Sequence, residues 1–363
     1  MAPAPTVFVH VGVPKSGTTF LQGVLDQYRK QLLRVGLLYP PGPGPRHFLA
    51  ALDARGNDWF GGTERDAEGA WKALVERCLN HHGTSVISHE VLATASQGHA
   101  QRALALLAGA EVHVILTARD PARQMLGQWQ ELIKHGRTLE FTDYSSRVLR
   151  RTPDDGAEPE LALWRSQDLP EVLAHWGQGL DPRRVHVVTV PPPSADPVLL
   201  WQRFGTLLGI DPAAFDVSSI ARRNPSLGVA QTEALRRVNV ALDGALTGSD
   251  YGRVVKSLFA QQILGSQQSS RRPRLPKELL AACGELAASW VQTIESRQYD
   301  VVGSLADLHP DQDPTDHYDE PTTASHQEVA EVTTSATAEL LVTIADLRRQ
   351  RRKGGQDGGR RRG

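Results

Sequence analysis

Cysteine is almost absent from this sequence: Cys78 and Cys283 are the 2 among 363 residues. They sit in separate apolar stretches with no Cys or His at metal-ligand spacing, which excludes a disulfide framework and a zinc module. Long apolar runs are missing as well. The first, Val7 to Val13, is too short for a membrane span or a signal core, and the Met1–Pro5 start carries no basic residue. The expectation is a soluble cytoplasmic protein with buried, reduced thiols. Net charge is nearly absent too, with 40 Lys+Arg against 41 Asp+Glu. That balance argues against a protein built around bulk attraction to nucleic acid or membrane. It also hides an asymmetry. From Arg348 onward there are 8 basic residues and 1 acid, leaving 32 basic against 40 acidic in the rest.

What is present is enough apolar material, 40 % of the chain, for a sizeable core. Thr6 to Val13 is β-branched and apolar on both faces, the pattern of a buried parallel strand. A glycine-bearing turn follows, and then an apolar stripe at helical spacing from Thr19 to Val35. Pro40 to Pro45 reads as a loop. Further strands are expected at Ser85–Ser88, Glu111–Thr117 and Val185–Val190. Helical patterns separate them at Ala100–Leu107, Pro121–Lys134, Leu161–Trp176 and Pro197–Leu208. Alternating strands and helices imply an α/β fold, a central parallel sheet with helices on both faces. Beyond about Asn224 the pattern is helical, through Thr232–Leu242 and Lys277–Ile294. The expected organisation is an α/β domain over 1–303, an acidic disordered linker over 304–326, a helix over 327–352 and a disordered basic tail over 353–363. The apolar stripe of that last helix leaves room for self-association. The tail's charge is read as solvated rather than as a nucleic-acid site.

The turn after the first strand, Gly12-Val-Pro-Lys-Ser-Gly-Thr-Thr19, has the Gly-x-x-x-x-Gly frame of a nucleoside-triphosphate loop. A strand, turn and helix in this order aim backbone N–H groups and the positive helix end at an anion. Thr18 stands where a triphosphatase has Lys, and the lysine comes earlier, as Lys15. A kinase using ATP and Mg²⁺ also needs an acid after an apolar strand, and Asp120, between Arg119 and Pro121, is a poor match. A non-catalytic nucleotide-binding or assembly protein is the alternative from another class.

The run Pro14-Lys-Ser-Gly-Thr-Thr-Phe-Leu-Gln22 resembles the 5′-phosphosulfate loop of sulfotransferases that use 3′-phosphoadenosine 5′-phosphosulfate (PAPS). So does Ala118-Arg-Asp-Pro-Ala-Arg-Gln-Met-Leu-Gly127, after the strand ending at Thr117. The resemblance covers about 6–230, looks like that of actinobacterial-type bacterial members, and implies a P-loop-type three-layer fold and sulfuryl transfer from PAPS without a metal. It gives Lys15 the leaving group's bridging oxygen, Ser16, Gly17, Thr18 and Thr19 the 5′-phosphate, and Arg119 the 3′-phosphate. The serine that the family places eight residues beyond that arginine is Gly127 here, with Gln128, Arg123 or a backbone N–H as substitutes. Arg223, in Ala221-Arg-Arg-Asn-Pro-Ser-Leu-Gly228, matches a late nucleotide-closing segment less specifically. For the general base the resemblance points to the end of the Ser85–Ser88 strand, His89 or Glu90, with His89 slightly favoured by its unperturbed pKa. Acceptors implied are small molecules or glycans. His47 reads as a surface histidine, and Trp59-Phe60 as packing of a loop.

Overall fold

The structure is a computed structural model describing residues 4–40, 46–56, 58–59, 62–63, 67–150, 164–220, 227–267, 271–310 and 324–359. Residues 41–45 of the Pro/Gly loop, Phe60, Arg223 and 311–323 of the acidic segment therefore lie outside the described residues, as do 360–363 of the basic tail. The chain divides into two compact units: Met1–Gln128, Arg147–Arg223 and Lys277–Asp313 form one, and Trp129–Ser146, Asn224–Pro276 and Pro314–Gly363 the other.

In the first unit a six-stranded sheet runs β1 (Thr6–His10), β2 (Leu37–Leu38), β3 (Thr84–Ser88), β4 (Glu111–Ala118), β5 (Val185–Thr189) and β6 (Asp300–Val302). Its spatial order is β2-β3-β1-β4-β5-β6, and every pair is parallel. The expected α/β fold with a central parallel sheet is therefore the one found. Side chains alternate across each strand, and each face has its own core. On one face Val7, Val9, Val114, Leu116 and Ile87 pack with Leu52, Trp71, Leu74, Trp176 and Trp290. These come from helices α2 (Arg46–Ala54), α3 (Ala70–Leu79), α6 (Leu169–Gly177) and α8 (Lys277–Ser296). On the other, Phe8, Val86, Ile115 and Val188 pack with Leu21, Val24, Leu25, Trp201 and Phe204. Those belong to α1 (Thr18–Gln27) and α7 (Leu199–Leu207). The remaining labels are α4 (Gln97–Ala105) and α5 (Pro121–Lys134), which begins in this unit.

The connection leaving β1 runs to β2 on one side of the sheet and the one leaving β4 runs to β5 on the other, so the two diverge at the carboxyl ends of these neighbouring strands, where open α/β sheets hold ligands. Both cysteines are buried, and burial pushes each thiol up to about 12.

The second unit is helical. Its helix Val229–Leu242 carries a buried glutamate, Glu233, paired with Arg236 and Arg237 at 2.8 Å each. A fourteen-residue π-helix, Tyr251–Leu264, is anchored by the Tyr251 hydroxyl, which donates to Asn239 Oδ1 at 2.7 Å. A long helix spans His326–Gly359, buries Val329 and Ala336, and exposes Leu341, Val342, Ile344 and Leu347. Among the described residues no helix is long and apolar enough to cross a membrane.

Candidate active site

The loop between β1 and α1 is built on left-handed backbone. Gly12 has φ 68°, Gly17 φ 86°, and Lys15, with a full side chain, φ 68°. That conformation costs an L-residue about 1–2 kcal/mol, so Lys15 is held there against its own preference. Gly17 caps α1 with no side-chain hydrogen bond to the first turn, leaving backbone donors of that turn for another acceptor. Left-handed residues interspersed in such a loop form the concave nests that bind anions.

Two glycines have no room to be anything else. A Cβ on Gly12 would stand 2.6 Å from Thr18 Cγ2 and 3.2 Å from Glu90 Cβ, and one on Gly17 would stand 2.5 Å from Leu200 Cδ2. Gly12→Ala is therefore expected to destabilise the first unit by about 1–3 kcal/mol in urea unfolding, through strained φ and the clash together. The tight fit at Gly12 also sets Glu90 directly against the loop.

Ser16 is fully buried and its hydroxyl is engaged within the protein. It donates to the Val13 carbonyl at 2.6 Å and meets Thr117 Oγ1 of β4 at 2.5 Å. Thr18, also buried, and Thr19 open α1.

Arg119 follows β4 directly. Its Nη1 donates to the Lys15 carbonyl at 3.0 Å, so the guanidinium lies on the loop itself. The adjacent carboxylate is not its ion-pair partner. Asp120 accepts from the Arg123 backbone N–H at 2.8 Å and pairs with Arg123 Nε, capping α5. Arg119 Nε is buried and has no hydrogen-bond partner among the described residues. Burial, with a smaller push from Arg123, brings this guanidinium down to about 10 against the pull of Asp120. A half-buried cation with an idle, buried donor and no ion-paired carboxylate among the described residues is an arrangement completed by an anion.

Near position 127 two of the side chains weighed as substitutes for a serine have partners within the protein. Arg123 also donates to the Pro191 carbonyl at 3.0 Å, and Gln128 accepts from Gln167 at 2.6 Å. Gly127 instead lies beside the Lys15 stem, where an added Cβ would meet Lys15 carbons at 3.6–3.7 Å. That is ordinary contact, so Gly127→Ala is expected to raise helix stability by up to about 1 kcal/mol, read as a higher melting temperature.

At the end of β3, His89 and Glu90 both stand near the loop, but in different states. His89 Nδ1 accepts from the Val91 backbone N–H at 3.2 Å and so caps the short turn Glu90–Thr94. Burial lowers its pKa, with Glu90 opposing. Burial pushes the Glu90 carboxyl up, but the His89 ring, a 2.9 Å bond from the Gln22 amide and its own backbone N–H outweigh it. The net pKa lies below the usual glutamate value. His47 is not the surface histidine expected from sequence. It is half-buried, stacks on Tyr39 with centroids 4.3 Å apart and accepts from the Ser88 N–H at 3.3 Å. Burial brings it down to about 4. Trp59 belongs to a small hairpin, Asp58–Trp59 with Gly62–Thr63.

Sequence reasoning missed the polar side chains beneath the loop, His10, Ser88 and Thr117, all fully buried. Their signal was a polar residue near the end of each otherwise apolar central strand.

No family model and no curated protein matches the chain. A solved sulfotransferase from Alicyclobacillus acidocaldarius is similar at 17% identity and a TM-score of 0.42, covering 69% of this chain and 99% of that one.

Proposed function

We propose that this chain is a sulfotransferase that moves a sulfuryl group from PAPS to a hydroxyl or amine of a small molecule or glycan. The observation that carries this is Arg119: a half-buried guanidinium with a buried, unsatisfied Nε and no carboxylate partner among the described residues, set against a left-handed loop that ends in an open helix N-terminus. The fit to a doubly phosphorylated nucleotide is chemical. Arg119 and the loop amides are donors to phosphate, and Lys15, not a metal-binding hydroxyl, supplies the loop's mobile charge.

In this reading PAPS supplies the sulfuryl group. Lys15 meets the negative charge that grows on the phosphate as the sulfur–oxygen bond breaks. Gly17, Thr18 and Thr19 hold the 5′-phosphate through backbone N–H groups and the threonine hydroxyls. Ser16 serves from below, as a brace for the loop rather than a phosphate ligand. Arg119 holds the 3′-phosphate, and Arg223 assists from its segment.

As the new sulfur–oxygen bond forms, the acceptor's proton passes to a general base, and we assign that role to Glu90. With Nδ1 of His89 accepting a backbone N–H, its neutral ring carries its proton on Nε2 and has no free lone pair. Glu90, ionised at neutral pH, has lone pairs to give. Because its pKa is depressed, the base stays charged as pH falls from 7 and is lost only below the ordinary glutamate range. Turnover is therefore expected to hold level down to mildly acid pH and then fall. Glu90→Gln should remove most activity, and His89→Asn, which keeps a capping acceptor, should retain most of it. An acid limb near the ordinary histidine pKa that survives in Glu90→Gln would reverse the two roles.

The same reading places the protein in the cytoplasm. The exposed Leu341, Ile344 and Leu347 of the C-terminal helix support self-association there. The direct test is incubation with PAPS and a fractionated metabolite extract, followed by mass spectrometry. A product heavier by one SO3 group is expected, dependent on Lys15. Magnesium-dependent release of ADP from ATP, with no such product, would assign the loop to a kinase.

A further inference from the structure

Four polar side chains lie in a row beneath the loop, each 0 % exposed: Ser88 on β3, His10 on β1, Thr117 on β4 and Ser16 in the loop. His10 sits in the middle strand. Its Nδ1 is 2.7 Å from Ser88 Oγ and its Nε2 is 3.3 Å from Thr117 Oγ1. Its edge packs on Phe204 of α7, with centroids 5.0 Å apart. Thr117 continues to Ser16, and on the other side the Gln22 amide of α1 reaches both Ser88 Oγ at 3.4 Å and Glu90 Oε2 at 2.9 Å. Five side chains thus connect the loop to the carboxylate assigned as base.

The donors in this line can be assigned by elimination. Ser16 gives its proton to the Val13 carbonyl, so it accepts from Thr117. Thr117, having donated, accepts from His10 Nε2–H. Ser88 accepts from the Gln22 amide and, facing the unprotonated Nδ1 of a neutral ring, donates to His10. Gln22 has a second N–H, and Glu90 takes it. The bonds exclude the tautomer with its proton on Nδ1, and burial keeps the ring neutral, which leaves the proton on Nε2 alone. A phenylalanine of similar shape would fill the space and connect nothing.

We propose that His10 is the positioning residue of this site, a neutral imidazole that ties the orientation of the phosphate loop to that of Glu90 through Thr117 and Ser16 on one side and Ser88 and Gln22 on the other. The inference rests on the sulfotransferase reading for what the two ends do, but the wiring is a property of the chain. Burial holds His10 down to about 3, so the neutral form persists across the working pH range. The loop and the base then share one hydrogen-bonded support, and loosening either end disturbs the other.

The test uses the full-length protein labelled with ¹⁵N-histidine, with Thr117→Val and Gln22→Leu as shape-preserving cuts at opposite ends and His10→Phe as a cut in the middle. In the wild type the His10 ring should show the neutral Nε2–H tautomer and should not titrate between neutral and mildly acid pH. Thr117→Val, remote from the base, should raise the pH at which turnover falls and lower kcat about three- to tenfold, the weight of one hydrogen bond. Gln22→Leu, remote from the phosphates, should weaken binding of 3′-phosphoadenosine 5′-phosphate by a similar factor. The double variant should be little worse than either single one, since a line cut twice is still one line cut. An Nδ1–H tautomer, a ring that titrates near the ordinary histidine pKa, or fully additive effects confined to each end would overturn the proposal. A wild type that does not bind the nucleotide overturns the donor reading instead, and the tautomer spectrum still decides the wiring. If His10→Phe fails to fold, the two end variants carry the test.

Discussion

Lys15→Gly is expected to lower turnover by about 10²- to 10³-fold, the range lost with one group that stabilises transition-state charge, while leaving the fold as stable as the wild type or slightly more so. The two halves of this expectation have separate causes. The activity loss follows from removing the ammonium that meets the leaving phosphate. The stability gain follows from φ 68°, which glycine adopts without cost and lysine does not. Strain at a functional residue, relieved by a substitution that abolishes function, is the signature of a position selected for chemistry over stability. The check pairs kcat with urea unfolding of the same preparation. Lys15→Ala should lose as much activity without the relief of strain. A variant that unfolds more easily and turns over normally would mean that Lys15 is a structural part of the loop.

Arg119→Met is expected to cost about 10²-fold in affinity for 3′-phosphoadenosine 5′-phosphate, the loss of a charge-assisted contact of roughly 2–3 kcal/mol. Affinity for 5′-AMP, which lacks the 3′-phosphate, should change far less. The unliganded protein should not suffer in proportion. Arg119 gives up one hydrogen bond, to the Lys15 carbonyl, and a half-buried cation with an idle Nε is removed with it. Replacing a half-buried charge that has no ion-pair partner among the described residues by an apolar side chain of similar length is expected to be close to neutral. Calorimetric titration of both nucleotides into both proteins reads the effect. Equal losses for the two ligands would move Arg119 from the 3′-phosphate to the loop end of the nucleotide, where its bond to Lys15 also places it within reach.

Much of the fold can be read directly from the chain. β1, β3, β4 and β5 are runs rich in β-branched residues; the observed limits of β3, β4 and β5 fall within one residue of those expected, β1 ends at His10, three residues before Val13, and Pro121–Lys134 is the helix anticipated. The edge strands could not be seen. Leu37–Leu38 and Asp300–Val302 are too short for any periodicity, and they exist because a neighbouring strand offers its free edge. The single stripe from Thr19 to Val35 divides at Tyr28 into Thr18–Gln27 and Arg29–Arg34, because the backbone there leaves the helical range while the apolar spacing continues.

The site was half legible. Lys15 and the flanking glycines announce themselves by spacing, because a loop is local. Arg119 was found by its place after a strand, but its electrostatic state was not. The carboxylate next to it in sequence, Asp120, goes to Arg123 through the i, i+3 geometry of the following helix. His10, Ser88 and Thr117 were invisible as a group. They are 78 and 107 positions apart and meet only through the register of three parallel strands, in which His10 pairs with Ser88 on one side and Ile115 on the other. The charge balance was the least informative quantity. A sum near zero says nothing of one lysine and one arginine placed at the carboxyl end of the central strand.

The nucleotide that the loop prefers decides between the sulfotransferase and kinase readings. Titration of the purified protein with 3′-phosphoadenosine 5′-phosphate, and separately with ATP and Mg²⁺, measures this by calorimetry without knowledge of the acceptor. Tight, metal-independent binding of the 3′-phosphorylated nucleotide, lost in Arg119→Met, is the expected result. Tighter binding of ATP that requires Mg²⁺ and is unaffected by Arg119→Met would contradict it.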